Sequence, residues 1–206
     1  MIFEIQTEKN TFYKKIYEKS ISELESFFGI RLKAPAPSVY LAADRMTIDR
    51  LAGRKTSGWM IGWIDGRNIY ILSAKSFEKH STHKYSPDSY FRLMKHELAH
   101  IYYREISGGV NGPDWLWEGT AMHAAGQVEP AKGSPGFKDF LRYYKKTGPG
   151  VYNEAGAAVE FLVKKYGKKR LLRLIRSLKK ADTKEKFTRE FTKIYGFKLN
   201  YKNFNL

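Results

Sequence analysis

At 206 residues, with 42% hydrophobic and 15% aromatic content, the chain can fill a sizeable core, which excludes global disorder and fits one domain or two tightly packed lobes. It has no cysteine, which excludes disulfides, thiol catalysis and cysteine-ligated metals, so any bound metal must use His, Asp or Glu. The net charge of +16, from 37 basic and 21 acidic residues, suits attraction to nucleic acid, anionic membrane or acidic protein, although a solvated basic surface is the commoner meaning of such a balance.

No apolar run approaches the length of a membrane span. The opening MIFEIQTEKN lacks the basic and apolar regions of a signal peptide, so the expected location is cytoplasmic, or secreted if a signal was removed before Met1. IFEI at 2–5 reads as a short strand. A helix follows, capped by Asn10 or Thr11 and running to about Phe28, with Tyr13, Ile16, Tyr17, Leu24, Phe27 and Phe28 at roughly helical spacing and Gly29 as its stop. APAPS (34–38) is a connector, VYLA (39–42) a second strand, and a short helix near 44–52 ends around Gly53. GWMIGWID (58–65), a turn at Gly66 and NIYIL (68–72) form a hairpin. The NIYIL strand is a candidate edge for pairing with an extended peptide, or else an ordinary internal strand. Residues 73–85, with His80 and His83 among Ser, Lys and Thr, read as an exposed loop.

The next helix has a clean start: Ser86 as N-cap, Pro87 at N1, and Asp88 at the positive end of the dipole. It should run to about Ile106 and stop at Gly108–Gly109, with Phe91, Met94, Leu98 and Ile101 as its apolar stripe. After SGGVNGP, Asp114 can cap a helix over about 115–125. Its small residues Gly119, Ala121, Ala124 and Ala125 permit close approach to the preceding helix. Residues 126–136 read as loop, 137–146 as a short helix, and GPG (148–150) as a break.

The remainder reads as helical. Asn153 is a candidate cap for a helix to Tyr166, with Ala155, Val159, Leu162 and Tyr166 inward. Gly167 ends it. In the basic amphipathic helix over 168–180, Leu171, Leu172, Leu174, Ile175 and Leu178 bury one face and leave Lys and Arg solvated. Asp182 with Glu185 makes a capping box for a last helix ending near Gly196, and YKNFNL either occupies a cleft or trails.

The chemistry sits in HELAH (96–100). His96 and His100, at i,i+4, share a helix face about 6 Å apart along the axis. Two neutral imidazoles so placed can hold one zinc, with Glu97 between them placed to act on a metal-bound water. The alternative is a pair of surface histidines making ordinary hydrogen bonds. A third ligand must come from elsewhere. A histidine six positions beyond His100 is absent, since that residue is Ile106. Glu118, in WLWEG, is the best candidate: its neighbours Trp115, Trp117 and Gly119 imply burial, and a His2Glu set leaves one zinc position open.

With HELAH followed by PDWLWEGTA (113–121), the chain resembles the gluzincin metallopeptidases, especially the peptidase MA-like group. Weaker resemblance extends over GVYNEAGAAVEFLVKKYG (150–167) and the NIYIL hairpin, together covering roughly 58–195. The resemblance implies an α+β, zincin-like fold over 1–206. An N-terminal α/β lobe with a small sheet would span about 1–107, and a mainly helical C-terminal lobe about 108–206. It implies that His96, His100 and Glu118 bind one zinc ion. Glu97 would be general base in hydrolysis of a peptide or protein substrate, passing a proton from zinc-bound water to the leaving amine. Tyr152 matches a helix-leading Tyr that could donate to the oxyanion. It is equally readable as a core tyrosine, with Tyr143 and Tyr144 as rivals.

One departure is visible. Many gluzincins place an Asp four residues after the ligand Glu to orient the first histidine. Here that residue is Met122, so another group must take the role. His123, His80 and His83 read as structural or loop histidines. Two alternative readings stand beside the peptidase. One is a SprT-like DNA-associated metalloprotease, favoured by the basic charge and disfavoured by a glutamate third ligand. The other is a zinc-stabilised binding module without turnover, against which the intact Glu97 argues.

Overall fold

The computed structural model describes residues 7, 9–128, 136–145 and 148–205. The strand expected at 2–5 lies outside them. The chain is α+β. Helix α1 (Thr11–Phe28) leads to strand β1 (Ser38–Ala42), helix α2 (Arg45–Ala52) and the hairpin β2 (Gly62–Asp65) and β3 (Asn68–Leu72). Helices α3 (Pro87–Ser107), α4 (Asp114–Ala125), α5 (Ala155–Tyr166), α6 (Lys168–Ser177), α7 (Lys184–Tyr195) and α8 (Tyr201–Phe204) follow.

Local chemistry sets most of the boundaries. The Asn10 side chain accepts from Phe12 N, and Gly29 ends α1 in the left-handed region, where a side chain would be strained. The Asp44 side chain caps α2 on Thr47 N. At the last long helix the cap is Thr183, whose side chain accepts from Lys186 N, rather than the expected Asp182. Asp182 instead pairs with Lys186 at 2.8 Å. Asn153 does not cap α5, whose N-cap position is Glu154. Glu154 turns its carboxylate to the backbone N–H groups of Lys138, Asp139 and Phe140.

The sheet order is β1-β3-β2, with β1 parallel and β2 antiparallel to β3. Of the two readings of NIYIL, the structure gives the internal strand, with β1 and β2 as the outer strands among the described residues. Tyr40, Tyr70 and Trp63 stand in register across the three strands and stack at 5.0 Å spacings, which pins the pairing on one face. On that side Ala42 and Leu72 pack on Ile48 of α2. On the other, Ile69 and Ile71 join the main core beneath α1 and α3.

That core is continuous from Tyr13 to Phe204. The segment expected as a helix over 137–146 is instead, in its described residues, a 3-10 turn at Phe140–Arg142. Its apolar residues feed an aromatic cluster: Phe140 lies 4.9 Å from Phe204 and 5.0 Å from Trp115. The GPG stretch expected as a break opens a second 3-10 turn, Pro149–Asn153. The C-terminal YKNFN neither fills a cleft nor trails. It forms α8, with Phe204 buried against Phe161 and Phe197. Among the described residues no helix is long and apolar enough to cross a membrane.

Candidate metal centre

Helix α3 is the platform. Ser86 and Ser89 form a reciprocal capping box, Pro87 occupies the first turn, and Gly108 stops the helix in the left-handed region. The four-residue spacing of Asp88, Arg92, His96 and His100 puts them along one face, and Leu98 and Ile101 anchor the helix in the core. His96, Glu97 and His100 are only 8%, 6% and 5% exposed, so a run of ionisable groups is held inside.

Helix α4 brings Glu118 to them. It begins without a side-chain cap. Pro113 holds the N-cap position, and the expected cap Asp114 is already in the first turn. Trp115 is buried beside Phe140 and Phe187, and Trp117 lies flat on the His100 ring, 4.2 Å away. Helix α4 packs closely on α3, as expected, and on α5 as well. A Cβ on Gly119 would stand 2.3 Å from the Ala155 carbonyl oxygen, so its closest approach is to α5 rather than α3.

The donor atoms converge. His96 Nε2 and His100 Nε2 are 3.0 Å apart, and Glu118 Oε2 lies 3.3 Å from the first and 3.6 Å from the second. Atoms bound about 2.0–2.1 Å from a tetrahedral zinc stand about 3.3–3.4 Å from one another, so the three separations bracket the required value. Glu118 Oε2 is buried without a hydrogen-bond partner, a state that a cation would complete. Among the described residues this is the only group of three or more His, Asp or Glu side chains arranged to hold a metal ion.

The electrostatics follow from burial and proximity. Burial alone would raise the Glu118 carboxyl, but His100 and His96 outweigh it and hold the group well below the usual carboxylate range. Burial lowers His100. It also acts to lower His96, but there Glu118 and Glu97 prevail and the imidazole is raised. Glu97 is pushed up to about 7, chiefly by burial, with His96 opposing and Glu118 adding to the rise.

The group that orients His96 is Gln127, which the sequence reading missed. Its Oε1 stands 2.7 Å from His96 Nδ1 and accepts a hydrogen bond from it, leaving Nε2 to face the cluster. Gly126, left-handed at φ 71°, turns the chain back so that Gln127 N bonds the Met122 carbonyl. Arg92, paired with Asp88 at 2.8 Å, also donates to the Gly126 carbonyl and fixes this turn to α3. The only signal for it in the sequence was a helix-stopping glycine followed by a polar residue.

Beside the cluster lies a cleft of about 750 Å³. Trp59, Met60, Ile61 and Gly62 form one wall, Leu93, His96 and Glu97 the floor, and Met122, Gln127 and Tyr152 the other side. Gly62 lets β2 approach closely: a Cβ would meet Glu97 Oε1 at 2.9 Å and Ile71 Cγ2 at 2.9 Å, so those side chains would have to shift. Tyr152 is 37% exposed, yet burial, then the Glu118 and Glu97 charges and a hydrogen bond to Glu118, push its phenol well above the ordinary range. Its ring meets Trp59 edge-on, 6.3 Å away. Tyr143 and Tyr144 do not line the cleft; their carbonyls accept from Trp115 N and Asp114 N. His83 lines it and bonds the Trp59 carbonyl through Nε2, whereas His123 packs edge-on against Phe27.

No family model, curated protein or solved structure matches the chain. The functional reading therefore stands on these side chains alone.

Proposed function

We propose that the chain is a zinc-dependent peptidase of gluzincin type, with a zincin-like fold and the metal ligands His96, His100 and Glu118. The observation that carries this reading is the 3.0–3.6 Å convergence of two imidazole nitrogens and one buried carboxylate oxygen beside a cleft lined by Glu97. Zinc in such a three-ligand site supplies Lewis acidity toward a carbonyl oxygen and acidifies a water. Glu97 is the general base that accepts a proton and returns it to the leaving amine. A carboxyl lifted by burial toward neutrality suits a group that must do both. The Tyr152 phenol, kept protonated, donates toward the developing oxyanion. Gln127 holds His96 in the tautomer that leaves Nε2 free.

The edge strand supplies a place for substrate. Leu72 N donates to the Ile61 carbonyl, so by antiparallel alternation the N–H and C=O of Gly62 and Ile64 point away from β3, toward the open edge. An extended peptide would pair there.

The test is Glu97→Gln beside the unaltered chain, with zinc measured by elemental analysis and cleavage of a mixed peptide library by mass spectrometry. The expected result is one zinc per chain in both, with cleavage reduced on the order of 10²–10⁴-fold in the variant. Zinc-loaded, unaltered protein that cleaves no peptide would overturn the reading.

A further inference from the structure

Between Glu160 and Asp182 the sequence holds nine basic residues and no acidic one. The fold converts that stretch into a ridge. Helix α6 buries Leu171, Leu172, Leu174 and Ile175, and Leu178 follows them into the core. With the apolar side committed, Lys169, Arg170, Arg173, Arg176, Lys179 and Lys180 are all exposed. Lys169, Arg173 and Arg176 are spaced by four and three residues, which keeps them within about 60° of one line over about 10 Å of helix, and Lys180 follows in the turn that ends α6. Within 161–181 the one ion pair among the described residues is Lys164 with Glu160. The line of charge is thus not neutralised by the protein's own carboxylates. None of these residues lines the cleft.

We infer that this ridge is a docking surface for the phosphate backbone of double-stranded nucleic acid, read without regard to base sequence. The charge complementarity is direct, because a duplex carries one negative charge per about 1.7 Å of axis. The composition of the ridge selects against other polyanions. A single strand is held by stacking its bases on aromatic rings, and an interfacial helix holds a bilayer by inserting apolar side chains. The exposed large hydrophobic residues among those described are Met46, Trp59 and Tyr152, none of them on α6. The whole apolar side of α6 is buried, so only charge is offered. Neither the zinc site nor its activity is needed for this contact.

The experiment is fluorescence anisotropy of a labelled 20-base-pair duplex titrated with the full chain at several salt concentrations. Four backbone contacts give a slope of log K against log salt of about −3.6, so affinity falls about 100-fold between 50 and 200 mM salt. The double variant Arg173→Gln, Arg176→Gln should lower the slope magnitude by about 2. The control Lys14→Gln, Lys15→Gln removes the same charge from α1 and should leave the slope unchanged. Zinc content and the thermal midpoint, measured on both variants, report that the fold is intact. Equal losses in the two variants would place binding in net charge rather than in the ridge and overturn the inference. So would absence of duplex binding, or binding to phosphatidylserine vesicles or single strands in preference to duplex.

Discussion

Helices α3 and α6 are both amphipathic and both pack into the main core, but they treat charge in opposite ways. Helix α6 buries only leucine and isoleucine and, beyond Lys168, which donates to the Ser26 carbonyl, sends its Lys and Arg outward. Helix α3 turns His96, Glu97 and His100 inward among apolar neighbours. The α6 arrangement stabilises the fold by about 1.5–3 kcal/mol for each buried leucine or isoleucine. The α3 arrangement works against it, because a buried polar group left without a partner costs about 1–3 kcal/mol. The burial rule is broken at the residues proposed to hold and serve a metal ion, and it is kept in α6, which maintains the fold and shapes the surface.

The contrast breaks most visibly at a ligand. Zinc sites with four protein ligands bind with about 10–16 kcal/mol, about 3–4 kcal/mol for each ligand, so His100→Ala should weaken zinc binding roughly 10²–10³-fold in a chelator competition. Next comes Leu174→Ala on the α6 side, which should cost about 3 kcal/mol in urea unfolding and leave zinc affinity unchanged. Gln127→Ala should lower zinc affinity about 10–100-fold by releasing His96. Its apo-protein unfolding midpoint should move little, because Gln127 is only half-buried. The smallest effect is expected for Arg176→Gln, with stability changed by less than about 0.5 kcal/mol because its side chain is exposed. A large destabilisation there would mean that α6 depends on its charges and would undo the comparison.

What could be read in the sequence is what local chemistry decides. The caps at Asn10 and Ser86 and the stops at Gly29, Gly53 and Gly108 depend on a residue and its next few neighbours, and they stand where expected. The spacing of His96 and His100 is of the same kind. Sheet order is not: β3 lies at the centre because β1 returns to it across α2, and no residue in NIYIL announces that partner. The segment 137–146 misled because Phe137, Phe140, Leu141 and Tyr144 are spaced like one face of a helix. Two of those rings are spent instead on α8: Phe140 meets Tyr201 and Phe204, and Phe137 meets Phe204. Glu118 could be proposed because its neighbours implied burial. Gln127 could not, because its role depends on a turn that folds it back over a helix 31 residues away.

Gly62 has a consequence for the shape of the cleft. With no side chain at that position, β2 lies directly against the Glu97 carboxylate. A single added methyl would press on both Glu97 and Ile71, so the width of the gap there is set by backbone. The facing wall is tied down as well: Gln127 bonds His96, and Tyr152 meets Trp59 edge-on. Under the proposed function, a peptide would enter between two walls that are each joined to the residues meant to act on it.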